Sequence, residues 1–301
     1  MAINWFPGHM RTARKKAEET LANVDVVIEV LDARCPAASV NPMIEAMRLE
    51  RERPALKIIN KIDLAEEGIT QAWLAHFNAL PNTKAIAISC KKVGDSAKVL
   101  PAARTLAPHR EGPLKRFRVM TMGIPNVGKS TLINALMNSR TAPVGDEPAV
   151  TKLVSRYNLP DGTWLFDTPG LMWPKIELES DGLLLAASNL IGTNAYINEE
   201  VATYLAEILL DRYASALAKR YAFDDKTMAE LDGPGVIEAI ALKRGFKAKG
   251  GAIDYEKASV TLLNDFRSGI MGRMSLETPQ TRNTLLAARA AALAEAQAPD
   301  A

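Results

Sequence analysis

The chain lacks the marks of a secreted, disulfide-bonded or membrane-spanning protein. Its 301 residues include two cysteines, Cys35 and Cys90, too few and too far apart for a disulfide framework. The three histidines, His9, His76 and His109, show no zinc-ligand spacing. No apolar run approaches the ~18 residues of a membrane span. The opening MAINWFPGHMRTARKK places its apolar residues ahead of the basic ones, the wrong order for a secretory signal. A cytoplasmic globular protein, probing no membrane, is therefore the expectation. A hydrophobic content of 48% and a charged content of 24% are ordinary for that class.

Net charge is also scarce, at +2, but the basic residues are unevenly spread. They gather in RTARKK (11–16), HREGPLKRFR (109–118) and KRGFKAK (243–249). Solvated faces explain most such runs. Three in one chain point to an anionic partner, RNA above all.

What is present is a strand–helix alternation. An amphipathic helix over 10–23 precedes the apolar run DVVIEVLDA, a buried strand. Helical NPMIEAMRLERE, strand PALKIIN, helical EEGITQAWLAHFNAL and strand KAIAIS follow, then helical DSAKVLPAARTLA with a break expected at Pro101. A polar linker, APHREGPLKRF, leads to strand FRVMTM, and two more strands lie near KLVSRYNL and TWLFD. The pattern predicts an α/β domain, a parallel-rich sheet with helices on both faces, over residues 1–177. A smaller all-helical domain is predicted over 178–301, with a tail near 290–301 that is a frayed helix or disordered.

Gly123-Ile-Pro-Asn-Val-Gly128-Lys129-Ser130 fits the phosphate-loop pattern, with a strand before it and a helix after it. The glycines let backbone N–H groups turn inward around phosphate oxygens, and the helix N-terminus adds its positive dipole end. Asn126, Val127, Gly128, Lys129, Ser130 and Thr131 are the candidate phosphate-contacting residues. Lys129 would reach the β- and γ-phosphates, and the Ser130 hydroxyl would ligate Mg²⁺. Asp167, closing TWLFD, is placed for a second Mg²⁺ contact through water, and the Gly170 N–H for the γ-phosphate. Thr151, in EPAVTK, is a candidate second hydroxyl ligand from a loop. Asn60-Lys61-Ile62-Asp63 closes the strand PALKIIN. Its Asp63 carboxylate can accept from the N1–H and the exocyclic amine of guanine, donors that adenine does not present together. The Lys61 stem can cover the base, and Asn60 can tie this loop to the phosphate loop. Ser89, Cys90 and Lys91 supply a supporting loop one strand later.

The order of these parts is rotated, because in the usual GTPase the phosphate loop comes first and the guanine loops last. The order NKID, SCK, GIPNVGKS, Thr151 and DTPG, with WFPGHM at the start, resembles the circularly permuted YlqF/RbgA GTPases of ribosome biogenesis. The resemblance spans essentially the whole chain, including DFRSGIMGR (265–273). It implies a circularly permuted P-loop GTPase domain followed by a helical RNA-binding domain. It also implies GTP/GDP and Mg²⁺ as ligands, a late large-ribosomal-subunit precursor with its rRNA as partner, and action as a monomer. Lys243, Arg244, Lys247, Lys249, Arg267 and Arg273 are candidate RNA contacts. Ile270 and Ala149 depart from the family pattern, where a basic residue and a glycine are expected. Asn126 matches an asparagine that coordinates K⁺ in potassium-dependent GTPases; an Asn that merely shapes the loop is the other reading.

Where many GTPases carry a water-orienting glutamine directly after Asp-x-x-Gly, this chain has Leu171. Its side chain is expected to pack away from the phosphates. His9, beside the Pro7-Gly8 turn, is the candidate substitute, since an imidazole titrating near ~6.5 can orient or deprotonate water. Docking of the N-terminus, or stacking on RNA, is the competing role for Trp5, Phe6 and His9. Hydrolysis by the isolated chain is expected to be slow and stimulated by the partner. Two other functions are open: a GTP-dependent switch on a protein or membrane target without RNA, and an RNA-binding module with a vestigial nucleotide site.

Overall fold

A computed structural model describes residues 9–110, 116–138, 154–173 and 175–297, the side chains of 9–13, 296 and 297 excepted. Helix α1 (His9–Leu21) precedes β1 (Val26–Asp32), α2 (Pro36–Ser39), α3 (Pro42–Glu50) and β2 (Ala55–Asn60). Then come α4 (Glu67–Asn78), β3 (Thr83–Ala87), α5 (Val99–Arg104), β4 (Arg118–Met122) and α6 (Lys129–Met137). Strands β5 (Ser155–Asn158) and β6 (Trp164–Asp167) complete the sheet. The described strands form one six-stranded sheet in the order β3-β2-β1-β4-β6-β5, parallel except for edge strand β5.

Burial on both faces explains the continuous apolar runs in the central strands. Alternate residues of β1 divide between two layers. Val26, Ile28 and Val30 join Val99, Leu132 and Leu165 in the larger cluster, while Val27 packs with Ala17 and Leu21 of α1 and Ile44 of α3. Leu31 and Ile59 meet Trp73 and Phe77 of α4 in a third cluster. Polar Glu29 and Lys57 interrupt the apolar strands and are buried as an ion pair at 2.6 Å, with Glu45 3.4 Å from the same ammonium. Glu29 also accepts from Asn41 N at 3.0 Å, at the start of α3.

The expected break at Pro101 does not occur. Residues Asp95–Lys98 form a 3-10 turn, and α5 continues straight through Pro101. The proline is in the first turn of the α-helix, where a backbone N–H has no intrahelical acceptor to lose.

Beyond β6 the described chain is helical: α7 (Glu179–Ala187), α8 (Asn198–Arg212), α9 (Ala214–Tyr221), α10 (Asp225–Glu230), α11 (Gly233–Arg244), α12 (Tyr255–Ser268) and α13 (Pro279–Gln297). Asp224, Asp232 and Asp254 cap α10, α11 and α12 by accepting from backbone N–H groups at 2.8–2.9 Å. The apolar cluster runs from the sheet into these helices without a break near 177, through Cys35, Ala38, Leu184 and Ile191 to Leu205 and Leu262. Residues 290–297, part of the tail read as a frayed helix or disordered, continue α13 as helix with 290–295 exposed. Alanine-rich sequence has the helix propensity to do this without burial. No described helix is long and apolar enough to cross a membrane.

Glu29→Ala leaves the Lys57 ammonium with only the partly exposed Glu45. We expect a loss of about 3–5 kcal/mol, the usual cost of stranding a buried charge, read from the denaturant midpoint. A loss under about 1 kcal/mol would show that the pair does not need both members.

Candidate nucleotide-binding site

The crossover from β1 leads to one side of the sheet and that from β4 to the other. The carboxyl ends of these two neighbours therefore form a topological switch point, the usual place for a ligand in an α/β sheet. Every described motif loop converges there. Gly123 follows β4 at φ +146°, and a Cβ on it would lie 2.7 Å from Val30 O of β1. Gly128, at φ +103°, caps the start of α6, and its Cβ would lie 2.3 Å from Asn60 Nδ2. Both glycines are dictated by close approach as well as by backbone angle.

Asn60 is the tie. Its Nδ2 donates to Val127 O at 2.8 Å, and its Oδ1 accepts from Cys90 N at 3.0 Å. One buried carboxamide thus joins the NKID, phosphate and SCK loops. Ser89 Oγ donates to Asp63 Oδ1 at 2.7 Å, which fixes the plane of that carboxylate, and exposed Lys91 is 3.8 Å from Asp63 Oδ2. Burial pushes the Cys90 thiol up to about 12, so it is a packed neutral group and no nucleophile. Lys61, at φ +66°, sends its ammonium to Asp32 Oδ2 at 2.8 Å.

In the phosphate loop, Lys129 Nζ donates to Ile124 O at 2.7 Å. Burial lowers the lysine to about 8, against an opposing pull from Asp167. Burial likewise raises Asp167 to about 6, with Lys129 the main counterweight. Both Asp167 carboxylate oxygens are buried without a hydrogen bond, as is Thr121 Oγ1 at the paired position of β4. The neighbouring Thr168 N–H is directed to Thr121 O at 3.3 Å. The buried, unpartnered Asp167 carboxylate, coupled to Lys129, and the partly exposed Ser130 next to that lysine in sequence are hard-oxygen donors suited to Mg²⁺, which typically takes one or two protein oxygens plus phosphate and water. No cluster of three or more acidic, His or Cys ligands occurs among the described residues, so an all-protein metal cage is not the alternative there. Thr131 is half-buried in the first turn of α6.

The DTPG turn packs on this loop. A Cβ at Gly170 would lie 3.0 Å from Pro125 backbone and ring atoms, and Leu171 N donates to Gly123 O at 3.2 Å. Leu171 itself is fully buried among Ala17, Leu21, Ile44, Met47 and Met122, and its carbonyl accepts from Asn41 Nδ2 at 2.7 Å. Its side chain therefore belongs to the core under α1 and α3. Thr151 and Ala149 lie outside the described residues. His9 opens α1, with its side chain likewise outside them.

Asn126 takes a left-handed φ of +58° and donates from Nδ2 to Asn189 O at 3.0 Å, just past α7. That carbonyl contact links the phosphate loop to the helical region. The sequence reading missed a second link. Asp32 accepts from Arg34 Nε and Nη2 at 2.9 and 2.8 Å, and Arg34 Nη2 also donates to Ser188 O at 2.8 Å. Despite the opposing penalty of full burial, Arg34 and Lys61 together hold the Asp32 carboxyl far below the ordinary range. The available signal was an acidic residue closing an apolar strand with an arginine two places on. Arg267, offered as an RNA contact, instead donates to Ala187 O and Ala186 O at 3.0 and 2.8 Å and closes the end of α7. Lys243, Arg244, Lys247, Lys249 and Arg273 are exposed, as is Ile270.

Fold and site together define a P-loop GTPase, with a guanine-type loop and a phosphate loop meeting at one crevice. Residues 118–220 match the family described as 50S ribosome-binding GTPase, a stretch that begins at β4 and leaves NKID and SCK ahead of it. The chain is 36% identical over 289 residues to ribosome biogenesis GTPase A of Bacillus cereus, covering 93% of this chain and 95% of that protein. It is 31% identical over 294 residues to mitochondrial ribosome-associated GTPase 1 of Mus musculus, covering 91% of this chain and 89% of that protein. Its fold is similar to that of GNP-bound YlqF from T. maritima, with a TM-score of 0.60, 25% identity and coverage of 89% and 98% of the two chains. The chain belongs to the ribosome biogenesis GTPase A family.

The raised Asp167 means that the folded chain without nucleotide holds an extra proton between about pH 4 and pH 6. Its stability therefore falls as pH rises through that window. We expect Asp167→Asn to stabilise the nucleotide-free chain by roughly 1–2 kcal/mol at pH 7 and by much less near pH 4, while removing the Mg²⁺-dependent tightening of GTP binding. Urea unfolding at the two pH values checks this, and a pH-independent loss of stability would contradict it.

Proposed function

We propose that this GTPase assists late maturation of the large ribosomal subunit in the cytoplasm, binding the precursor and its rRNA as a monomer in the GTP state and leaving after hydrolysis. The observation that carries the reading is the convergence of the Asn60, Ser89–Asp63 and Lys129–Asp167 groups at one crevice, in a chain whose relatives are named for ribosome biogenesis. In this reading the motif order is a circular permutation, and residues 178–301 serve as the domain that meets RNA. Asp63 selects guanine, Lys61 covers the base, and Ser89, Cys90 and Lys91 hold the base loop. Asn126 to Thr131 surround the phosphates. Mg²⁺, when bound, neutralises phosphate charge, with Ser130, Thr151 and Asp167 as the residues that would hold it.

Leu171 cannot orient the attacking water, because it is committed to the α1–α3 cluster. His9 is proposed in its place. Ala17 and Leu21 of the same helix pack with Leu171, so a shift of the DTPG turn would move α1 and the histidine it begins with. His9 would take up or orient the water's proton, and Lys129 and the Gly170 N–H would meet the charge growing on the γ-phosphate oxygens. Potassium is the competing source of that charge. The Asn126 Nδ2 contact with Asn189 O occupies the donor of that carboxamide and is compatible with either role for Asn126, so the choice between His9 and K⁺ is made by the test below.

The test is the GTP hydrolysis rate in potassium and in sodium buffer, with and without large ribosomal subunits, for the native chain and His9→Ala. We expect a slow basal rate, strong stimulation by the subunits, and a loss of stimulation on the order of 10²-fold in His9→Ala with GTP binding retained. Equal stimulation in both chains would remove His9 from the reaction, and no stimulation in either would remove the ribosome.

A further inference from the structure

The basic segment 109–118 is not used by the nucleotide site, and its described part lies at the other end of the sheet. The amino ends of β1, β4 and β6 lie together there, opposite the loops at their carboxyl ends. Arg118 opens β4 directly beside Trp164 of β6. The guanidinium carbons of Arg116 and Arg156 each lie 4.7 Å from the Trp164 ring centroid. Arg156 comes from edge strand β5, where it is diagonal to Trp164 across the antiparallel pair and on the same sheet face. Both arginines are exposed and the indole is half-buried.

Among the described residues, the charge around this platform does not balance. Asp25 is shared by Arg110 at 2.9 Å and Arg118 at 3.5 Å, and Asp161 is taken by Arg104 at 2.9 Å. Neither Arg116 nor Arg156 has a carboxylate partner among the described residues. Among the described residues, five guanidinium groups thus face two carboxylates. A fold has no need to gather two cations without carboxylate partners over one ring. Planar guanidinium and indole surfaces beside surplus positive charge suit stacked bases and phosphates together. An acidic protein surface would use the charge and leave the ring platform idle.

We infer that Arg116, Arg156 and Trp164 form an RNA-docking platform on the GTPase body, separate from the helical region and facing away from the nucleotide. The partner is an RNA segment with an accessible phosphate backbone and at least one unpaired base. The inference rests on the ribosomal reading for its physiological target, whereas the contact itself is testable on RNA alone.

The experiment measures binding to purified large ribosomal subunits, and to a fluorescein-labelled single-stranded RNA oligonucleotide, across a KCl series. It compares the native chain with Arg116→Gln/Arg156→Gln and Arg116→Lys/Arg156→Lys, and uses GDP binding as the check of an intact fold. For the Gln pair we expect ~10- to 100-fold weaker binding to both probes and a salt slope shallower by roughly 1.5, the value for two lost phosphate contacts. The Lys pair should keep the slope and lose affinity, because an ammonium keeps the charge without the plane, and it decides the matter if the Gln pair does not fold. Unchanged affinity and slope for both probes would overturn the platform. Weaker binding to subunits with oligonucleotide binding intact would assign the patch to a ribosomal protein and overturn the RNA contact. Native binding to the oligonucleotide but not to subunits, lost in the Gln pair, would keep the platform and sink the ribosomal reading.

Discussion

The Asn60 carboxamide is the constraint on which the site depends. It is almost fully buried, and it spends its donor on Val127 O and its acceptor on Cys90 N. Those two loops lie 67 and 30 residues away in sequence. Neither would be held by local structure alone, since the phosphate loop closes around glycines and SCK is a strand-end turn. With the amide in place, the Gly128 backbone abuts the base loop so closely that no side chain fits between them. These contacts are set by which strands are neighbours in the sheet, and not by the order of the motifs along the chain.

Two further connections join this crevice to the rest of the molecule. On one face, Leu171 ties the DTPG turn to α1 and α3 through apolar packing. On the other, the turn that ends α7 receives Arg34 at Ser188 O and Asn126 at Asn189 O, while Arg267 closes the carbonyls of Ala186 and Ala187. The helical region is therefore gripped at the point where the phosphate loop and the end of β1 meet. The segment Met274–Glu277 adds a second seam, with Leu276 N donating to Arg34 O and Met274 N to Leu64 O. Packed cores of this kind respond as discrete units, which lets a small change at a phosphate reach a distant helix.

The parts of the site that could be read from sequence were those with strong local grammar. Glycines at fixed spacing, a strand-end NKID and a helix start need only short-range geometry. Leu171 could be placed because a leucine has only one sensible destination near a charged ligand. The reach of Arg34 to Ser188 O and the contact of Glu277 with Ala38 could not, since those partners come from other elements. Glu277, for instance, is buried and accepts from Ala38 N across 239 residues. Arg267 looked like an RNA contact because a guanidinium that closes a helix and one that waits for phosphate are identical in sequence. Pro101 misled for a different reason. Local propensity gives a residue's preference, while position within the helix decides whether that preference costs anything.

The central claim is that these loops form one guanine-selective pocket. Calorimetric titration of the native chain and Asp63→Asn with GDP, ADP and XDP tests it most directly. The account predicts that the native chain prefers GDP over ADP by at least ~100-fold and that Asp63→Asn transfers the preference to XDP, whose 2-oxo group accepts where guanine donates. Equal affinity for GDP and ADP, or a selectivity indifferent to Asp63, would contradict it.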